Sequence, residues 1–230
     1  IYFLWKSIFA SAGTDVVSGM TFSGTLIYLV LASALFSFME MYLVWYMGRD
    51  IQSGKIVLDL IKPIRYRSFL FWTQSGFLVM ACVMTFLPTF LVVYFLTDGT
   101  IHLGVNLLFF LVSVPLALTI NFCIDFFIGT VCLYTQSIWG INIMKEVIVL
   151  LLSGATIPLA FFPDTLRRIV SYLPFQSIYN TPLTILIRDS MPLRETLTML
   201  GIQLFWALVM LLVSDLFWRR SMRVITVNGG

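Results

Sequence analysis

Five carboxylates lie in or beside the long apolar stretches of this chain: Asp15, Glu40, Asp125, Glu146 and Asp215. A charge set among apolar residues is costly, and it must face protein or water and not hydrocarbon. Glu40 and Asp125 are the deepest, each roughly two helical turns from one end of its stretch. Two readings stand side by side for them: interhelical hydrogen bonding, or a role in a substrate path or gate. Asp215 precedes Arg219 by four residues, the spacing of a local pair on one helix face. Glu146 adjoins Lys145 at a boundary and needs no special role. Catalytic chemistry finds little to build on. His102 is the only histidine, so no histidine cluster can ligate a metal. No Ser-His-acid set or paired-cysteine motif occurs at a common depth, and no catalytic or metal residue is assigned. The run Gly48-Arg49-Asp50-Ile51-Gln52-Ser53-Gly54-Lys55 has a superficial likeness to a phosphate loop. It has five intervening residues where four are needed, Ile56 stands in place of the hydroxyl residue, and no strand precedes it. Nucleotide chemistry is therefore not placed on this chain.

The elements that must position these residues are apolar helices. Of the 230 residues, 60% are hydrophobic and 11% charged, and the mean hydropathy is +0.97. No water-soluble fold hides that much apolar surface, so lipid must cover it. The expected fold is an all-α membrane protein with about six transmembrane helices. The spans are placed at roughly 1–12, 24–47, 69–96, 105–134, 146–160 and 197–217 of a single transmembrane domain covering 1–230. The first stretch reaches only about 18 Å against a hydrocarbon core of about 30 Å, so that span is read as incomplete at its N-terminus. A cleaved signal peptide is not expected, since no small-residue cleavage site follows a basic region. Pro88 interrupts the third span, Pro115 kinks the fourth, and Pro158 ends or bends the fifth near Ala160. Asp98-Gly99-Thr100 predicts a tight turn. Cys82, Cys123 and Cys132 all lie in apolar stretches and read as small buried hydrophobes, not a disulfide framework. The net charge of +3 has no clustered basic face, which argues against nucleic acid as a partner.

Positive charge orients the chain. With the C-terminal tail inside, the inner segments carry nine basic residues: Arg49, Lys55, Lys62, Arg65, Arg67, Lys145, Arg219, Arg220 and Arg223. The outer ones carry four: Arg167, Arg168, Arg188 and Arg194. This places both termini in the cytoplasm. The basic loop after the second span predicts a short amphipathic helix. Ile56, Val57, Leu60, Ile61 and Ile64 share one side of it, Lys55, Asp59 and Lys62 point elsewhere, and Pro63 lies near its end. It reads either as a helix resting on the inner leaflet or as one that docks into a partner's groove. Outside, Asp164 is expected to cap a helix whose Leu166, Ile169, Val170 and Leu173 form one face. A second short apolar helix over 181–187 completes a pair lying in, or re-entering, the outer interface.

The segment Arg49-Asp50-Ile51-Gln52-Ser53-Gly54-Lys55 leading to Asp59-Leu60-Ile61-Lys62-Pro63 is similar to one found after the second span in the type-2 permeases of ABC transporters. Leu152-Ser153-Gly154-Ala155-Thr156-Ile157-Pro158-Leu159 continuing to Phe161-Phe162-Pro163, and Tyr172-Leu173-Pro174-Phe175 followed by Pro182, also match in order. The chain thus resembles the membrane-spanning subunit of a bacterial exporter over nearly its whole length. The resemblance implies a six-span subunit in the bacterial inner membrane that pairs with a second, identical or homologous, permease. It also implies two cytoplasmic ABC ATPases, which would hold the ATP and Mg that this chain lacks. Asp50, Gly54, Asp59, Leu60 and Pro63 would then form the ATPase-coupling segment, and the cargo would be amphipathic or lipophilic. The alternative is a secondary transporter or channel driven by an ion gradient, with Glu40 and Asp125 as its ion sites.

Overall fold

The computed structural model describes residues 2–97, 104–135, 138–188 and 191–224. His102 and the turn expected at Asp98-Gly99-Thr100 lie outside the described residues. With about 81% helix and little strand, the architecture is that of an all-α membrane protein. The first helix, α1 (Tyr2–Ala12), buries Trp5 and Phe9, with Trp5 edge-on to Phe161 at 4.6 Å. The link after it is a two-stranded hairpin, β1 (Val16–Val17) and β2 (Met20–Thr21), pairing Val17 with Met20. Ser18 and Gly19 both take positive φ, 53° and 80°, as a two-residue hairpin turn that follows strand twist demands. Thr21 then caps α2 (Phe22–Met39), its hydroxyl accepting from the Gly24 amide at 3.1 Å.

After α2 come α3 (Leu43–Gln52), α4 (Ile56–Leu60), α5 (Tyr66–Ala81) and α6 (Leu87–Leu96). A π-helical turn, Cys82–Phe86, joins α5 to α6. Pro88 supplies no N–H and its ring crowds the carbonyl four residues back, so the backbone widens there and the span runs on. Then follow α7 (Val105–Val131), α8 (Ile138–Leu152), α9 (Asp164–Ser171), α10 (Asn180–Ile187) and α11 (Leu193–Ser221). Among the described residues four helical stretches are long and apolar enough to cross a membrane: Phe22–Gln52, Tyr66–Leu96, Val105–Val131 and Leu193–Ser221. The other two expected spans correspond to shorter helices, α1 with 11 residues and α8 with 15. Helix α8 starts at Ile138 and ends at Leu152, ahead of the stretch expected at 146–160. Gly154, at φ +81°, stops it before Pro158 is reached.

The core centres on α7. Its Pro115 stays inside the helix, and buried positions from Phe110 to Thr130 face chiefly α3, α10 and α11. Gln203 of α11 ties three segments together. Its side-chain nitrogen donates to the carbonyls of Ser113 at 3.0 Å and Ser177 at 2.8 Å, and its oxygen accepts from the Ser113 hydroxyl at 2.8 Å. Such bonds hold helices where apolar surface gives no preference between protein and lipid. Helix α10, expected in or re-entering the outer interface, is packed into this core. Thr181, Pro182, Leu183, Ile185 and Leu186 are all buried, because its apolar residues occur on every side and α7 covers them.

Candidate functional site

The second span is not one helix. It stops at Met39, runs extended through Glu40 (φ −64°, ψ 122°), and restarts at Leu43. No glycine or proline marks the break. A broken helix strands backbone groups, and the Met39 carbonyl is rescued by the Asn121 side-chain amide at 2.9 Å. One turn further along α7, on the same face, Asp125 accepts from Lys145 of α8 at 2.9 Å. The side chains of this pair are 1% and 11% exposed. Asp125 Oδ2 is buried without a hydrogen-bond partner. Glu40 lies half-buried at the break and takes no hydrogen bond or salt bridge among the described residues. Glu146, exposed, accepts from Asn142. Together Glu40, Asn121, Asp125, Lys145, Glu146 and Tyr179 line a cavity of about 30 Å³, room for about one water.

The structure thus brings Glu40 and Asp125 to one place and corrects the reading of Lys145. Expected in an inner loop, Lys145 sits within α8 as the partner of Asp125, twenty residues away in sequence. A lone lysine beside an apolar run, facing a span with a lone aspartate, is a charge balance that could have signalled the pair. The expected Asp215–Arg219 pair is present at 2.8 Å.

The loop helix forms where expected, with Ile56, Val57 and Leu60 turned inward as expected and Asp59, Ile61 and Ile64 placed otherwise. Gly54 turns the chain at φ +72°, a conformation that side chains with a Cβ disfavour. Ile56 and Asp59 of α4 are buried, at 3% and 8% exposure, and Leu60 is half-buried against the core. Leu58, Ile61 and Ile64 point outward. Asp59 accepts from Lys62 at 2.7 Å, while the Tyr46 hydroxyl faces Asp50 and Asp59. These partners explain the buried aspartate: a carboxylate with an ammonium and a phenol beside it can turn inward. Pro63 is exposed in the bend after α4, and Tyr66 stacks on Trp218 at 4.9 Å where α5 begins.

On the other side of the sequence, Asp164 is the first residue of α9 and not its cap, which is Pro163. Asp164 pairs with Arg167 at 2.6 Å. Of the apolar face expected to pack, Val170 is buried, Leu173 is half-buried, and Leu166 and Ile169 are exposed. Helix α9 ends at Ser171, so Leu173 lies beyond it and does not extend its face. The three cysteines are free thiols.

Four long apolar helices, a broken span lined with buried charge and an amphipathic loop helix define a polytopic membrane transport subunit. The family model described as "ABC-2 family transporter protein" matches residues 1–229, and the chain belongs to that family, as an ABC-2 type permease. A comparison with curated proteins finds no match.

Proposed function

We propose that this chain is the membrane-spanning subunit of an ATP-driven exporter, moving an amphipathic or lipophilic substrate out of the cytoplasm. In this reading it crosses the bacterial inner membrane six times with both termini inside, α8 completing its crossing through the segment that follows it. Two separate ABC ATPases and a second permease complete the transporter. The observation that carries the reading is the outward apolar row on α4, with Leu58 63% and Ile61 75% exposed. The ATPase would seat this row in a groove, and its closure on ATP would push α4, and through the Gly54 turn the adjoining α3. Leu60, half-buried against its own chain, serves folding more than docking.

Charges placed on the outward row should abolish coupling without unfolding the permease. In Leu58→Asp with Ile61→Asp, co-purification of the ATPase and permease-stimulated ATP hydrolysis should both fall to background, since a desolvated interface contact is worth about 2–5 kcal/mol. Wild-type levels of both would sink the exporter mechanism. A second reading, gradient-driven transport through Glu40 and Asp125, draws support from the helix break beside the buried pair, an arrangement that suits ion sites. Sealed vesicles supplied with ATP, or with an imposed proton gradient alone, separate the two.

A further inference from the structure

We infer that the substrate is a lipophilic cation, held with its apolar body in the groove between α1, α2 and α8 and its positive centre at the helix break. This rests on the exporter reading and adds the charge of the cargo. The groove has a volume of about 630 Å³ and is lined by Trp5, Ile8, Leu29, Ser33, Leu150 and Phe161 among others. That is within the range of small-molecule sites, roughly 300–1,000 Å³. Its lining is apolar, so it selects for a greasy body and says nothing by itself about a head.

The head is specified by where the groove leads. Along α2, Leu29, Ser33 and Phe36 recur at helical spacing, and the next position on that stripe is Glu40, at the break. Along α8, Leu150 in the groove lies one turn from Glu146. Phe36 lines both the groove and the charged cavity. Two helices therefore each lead from the groove to a glutamate, and the two glutamates border the same cavity. Lys145 is matched by Asp125, which leaves Glu40 and Glu146 as uncompensated negative charge. Asp125 Oδ2, buried and unpartnered, lines the same cavity and calls for a donor. The cavity has room for about one water to serve that oxygen, which leaves the cationic centre at the mouth. Tyr42 and Trp45 line this mouth as well, and aromatic faces attract a positive centre whose hydration is partly removed. An anion of the same shape would meet two carboxylates, and a neutral one would leave them unsatisfied.

The test compares two ions of nearly identical shape, tetraphenylphosphonium and tetraphenylborate, by equilibrium dialysis against the chain in nanodiscs of zwitterionic lipid, with empty nanodiscs as the background. Saturable binding is expected for the phosphonium only. It should weaken by about tenfold or more in Glu40→Gln with Glu146→Gln, and survive in Glu40→Asp with Glu146→Asp. Ser33→Phe, which fills the groove floor, should weaken it by a similar factor without touching the carboxylates. Equal saturable binding of both ions, no saturable binding of either, or phosphonium binding that ignores both sets of substitutions would overturn the inference. Should the double glutamine variant fail to fold, the wild-type ratio and Ser33→Phe decide alone. The exporter reading stands or falls separately, on ATPase association through Leu58 and Ile61.

Discussion

Helix α3 is ten residues long, about 15 Å, and its two ends treat charge in opposite ways. At the Leu43 end the chain breaks beside a buried ion pair, with Glu40 and Glu146 left toward an apolar groove. At the Gln52 end Asp59 turns inward to Lys62 and the apolar residues Leu58, Ile61 and Ile64 turn outward. One end suits a charged ligand and the other suits an apolar partner. Between them α3 is wedged tightly against its neighbours, so a displacement at either end has a stiff path to the other. The difference also says where disruption should hurt most, since a buried pair leaves an uncompensated charge when cut and an exposed turn does not.

The largest effect is expected at the Asp125–Lys145 pair. Lys145→Met strands a carboxylate that is 1% exposed, and breaking a buried pair from one side costs about 3–5 kcal/mol. Asp125→Leu alone should do similar damage by stranding the ammonium. The combination Asp125→Leu with Lys145→Met removes both charges and fills the space, and such replacements are often neutral or stabilising by about 1–4 kcal/mol. Thermal midpoints of the four purified proteins make a double-mutant cycle. If the double variant is as unstable as the singles, the pair does not work as a unit and the comparison between the ends of α3 loses its basis. Transport in a stable double variant would further show that the pair is structural, whereas its loss would place the pair in the gate.

Next in size is the wedge that makes α3 stiff. A Cβ on Gly48 would lie 2.7 Å from both Ile138 Cγ1 and Cδ1 and 2.9 Å from Cγ2. One on Gly129 would lie 2.5 Å from Met47 Sδ. Both glycines let helices approach closely, as small residues do in membrane bundles. The neighbours differ, however. Ile138 is branched at Cβ and has few ways to move, whereas Met47 is unbranched and adaptable. Alanine gains about 1 kcal/mol of helix propensity at either place, and overpacking costs about 1–3 kcal/mol. Gly48→Ala, against the stiffer neighbour, should therefore destabilise by a net of up to ~2 kcal/mol, and Gly129→Ala should be close to neutral. The reverse order in thermal midpoint would show that α3 is not seated through Gly48.

The long apolar stretches were plain in the sequence, because composition and length alone decide whether lipid must cover a helix. Gly54 and the Asp215–Arg219 pair were legible too, since each depends on local chain geometry. The helix break at Glu40 was not: no glycine or proline produces it, and its freed carbonyl is satisfied by Asn121 from a helix 82 residues away. The pairing of Lys145 with Asp125 joins two helices, and only a charge balance hinted at it. The inward turn of Asp59 on α4 was missed because periodicity sorts residues by polarity, while Asp59 is admitted to the interior by its own partner, Lys62. Tertiary contacts, which local pattern does not encode, decided each of these.

The smallest effect is expected at the Gln52 end, at Gly54. Its φ of +72° lies in the left-handed region, and a Cβ there would meet nothing within 4 Å. Only backbone strain is at stake, so Gly54→Ala should cost about 1–2 kcal/mol. Gly54→Asn should cost less, since asparagine visits this region more readily than other residues with a Cβ. Gly54→Pro cannot adopt the angle at all; its amide donates to Ile51 at 3.2 Å, and that bond would be lost too. If the turn only links helices, ATPase stimulation should follow stability, with asparagine near wild type. If it passes motion from α4 to α3, Gly54→Ala should lower stimulated hydrolysis more than its midpoint accounts for. A proline variant with normal stability and normal stimulation would remove Gly54 from both roles, leaving the two ends of α3 mechanically unconnected through this turn.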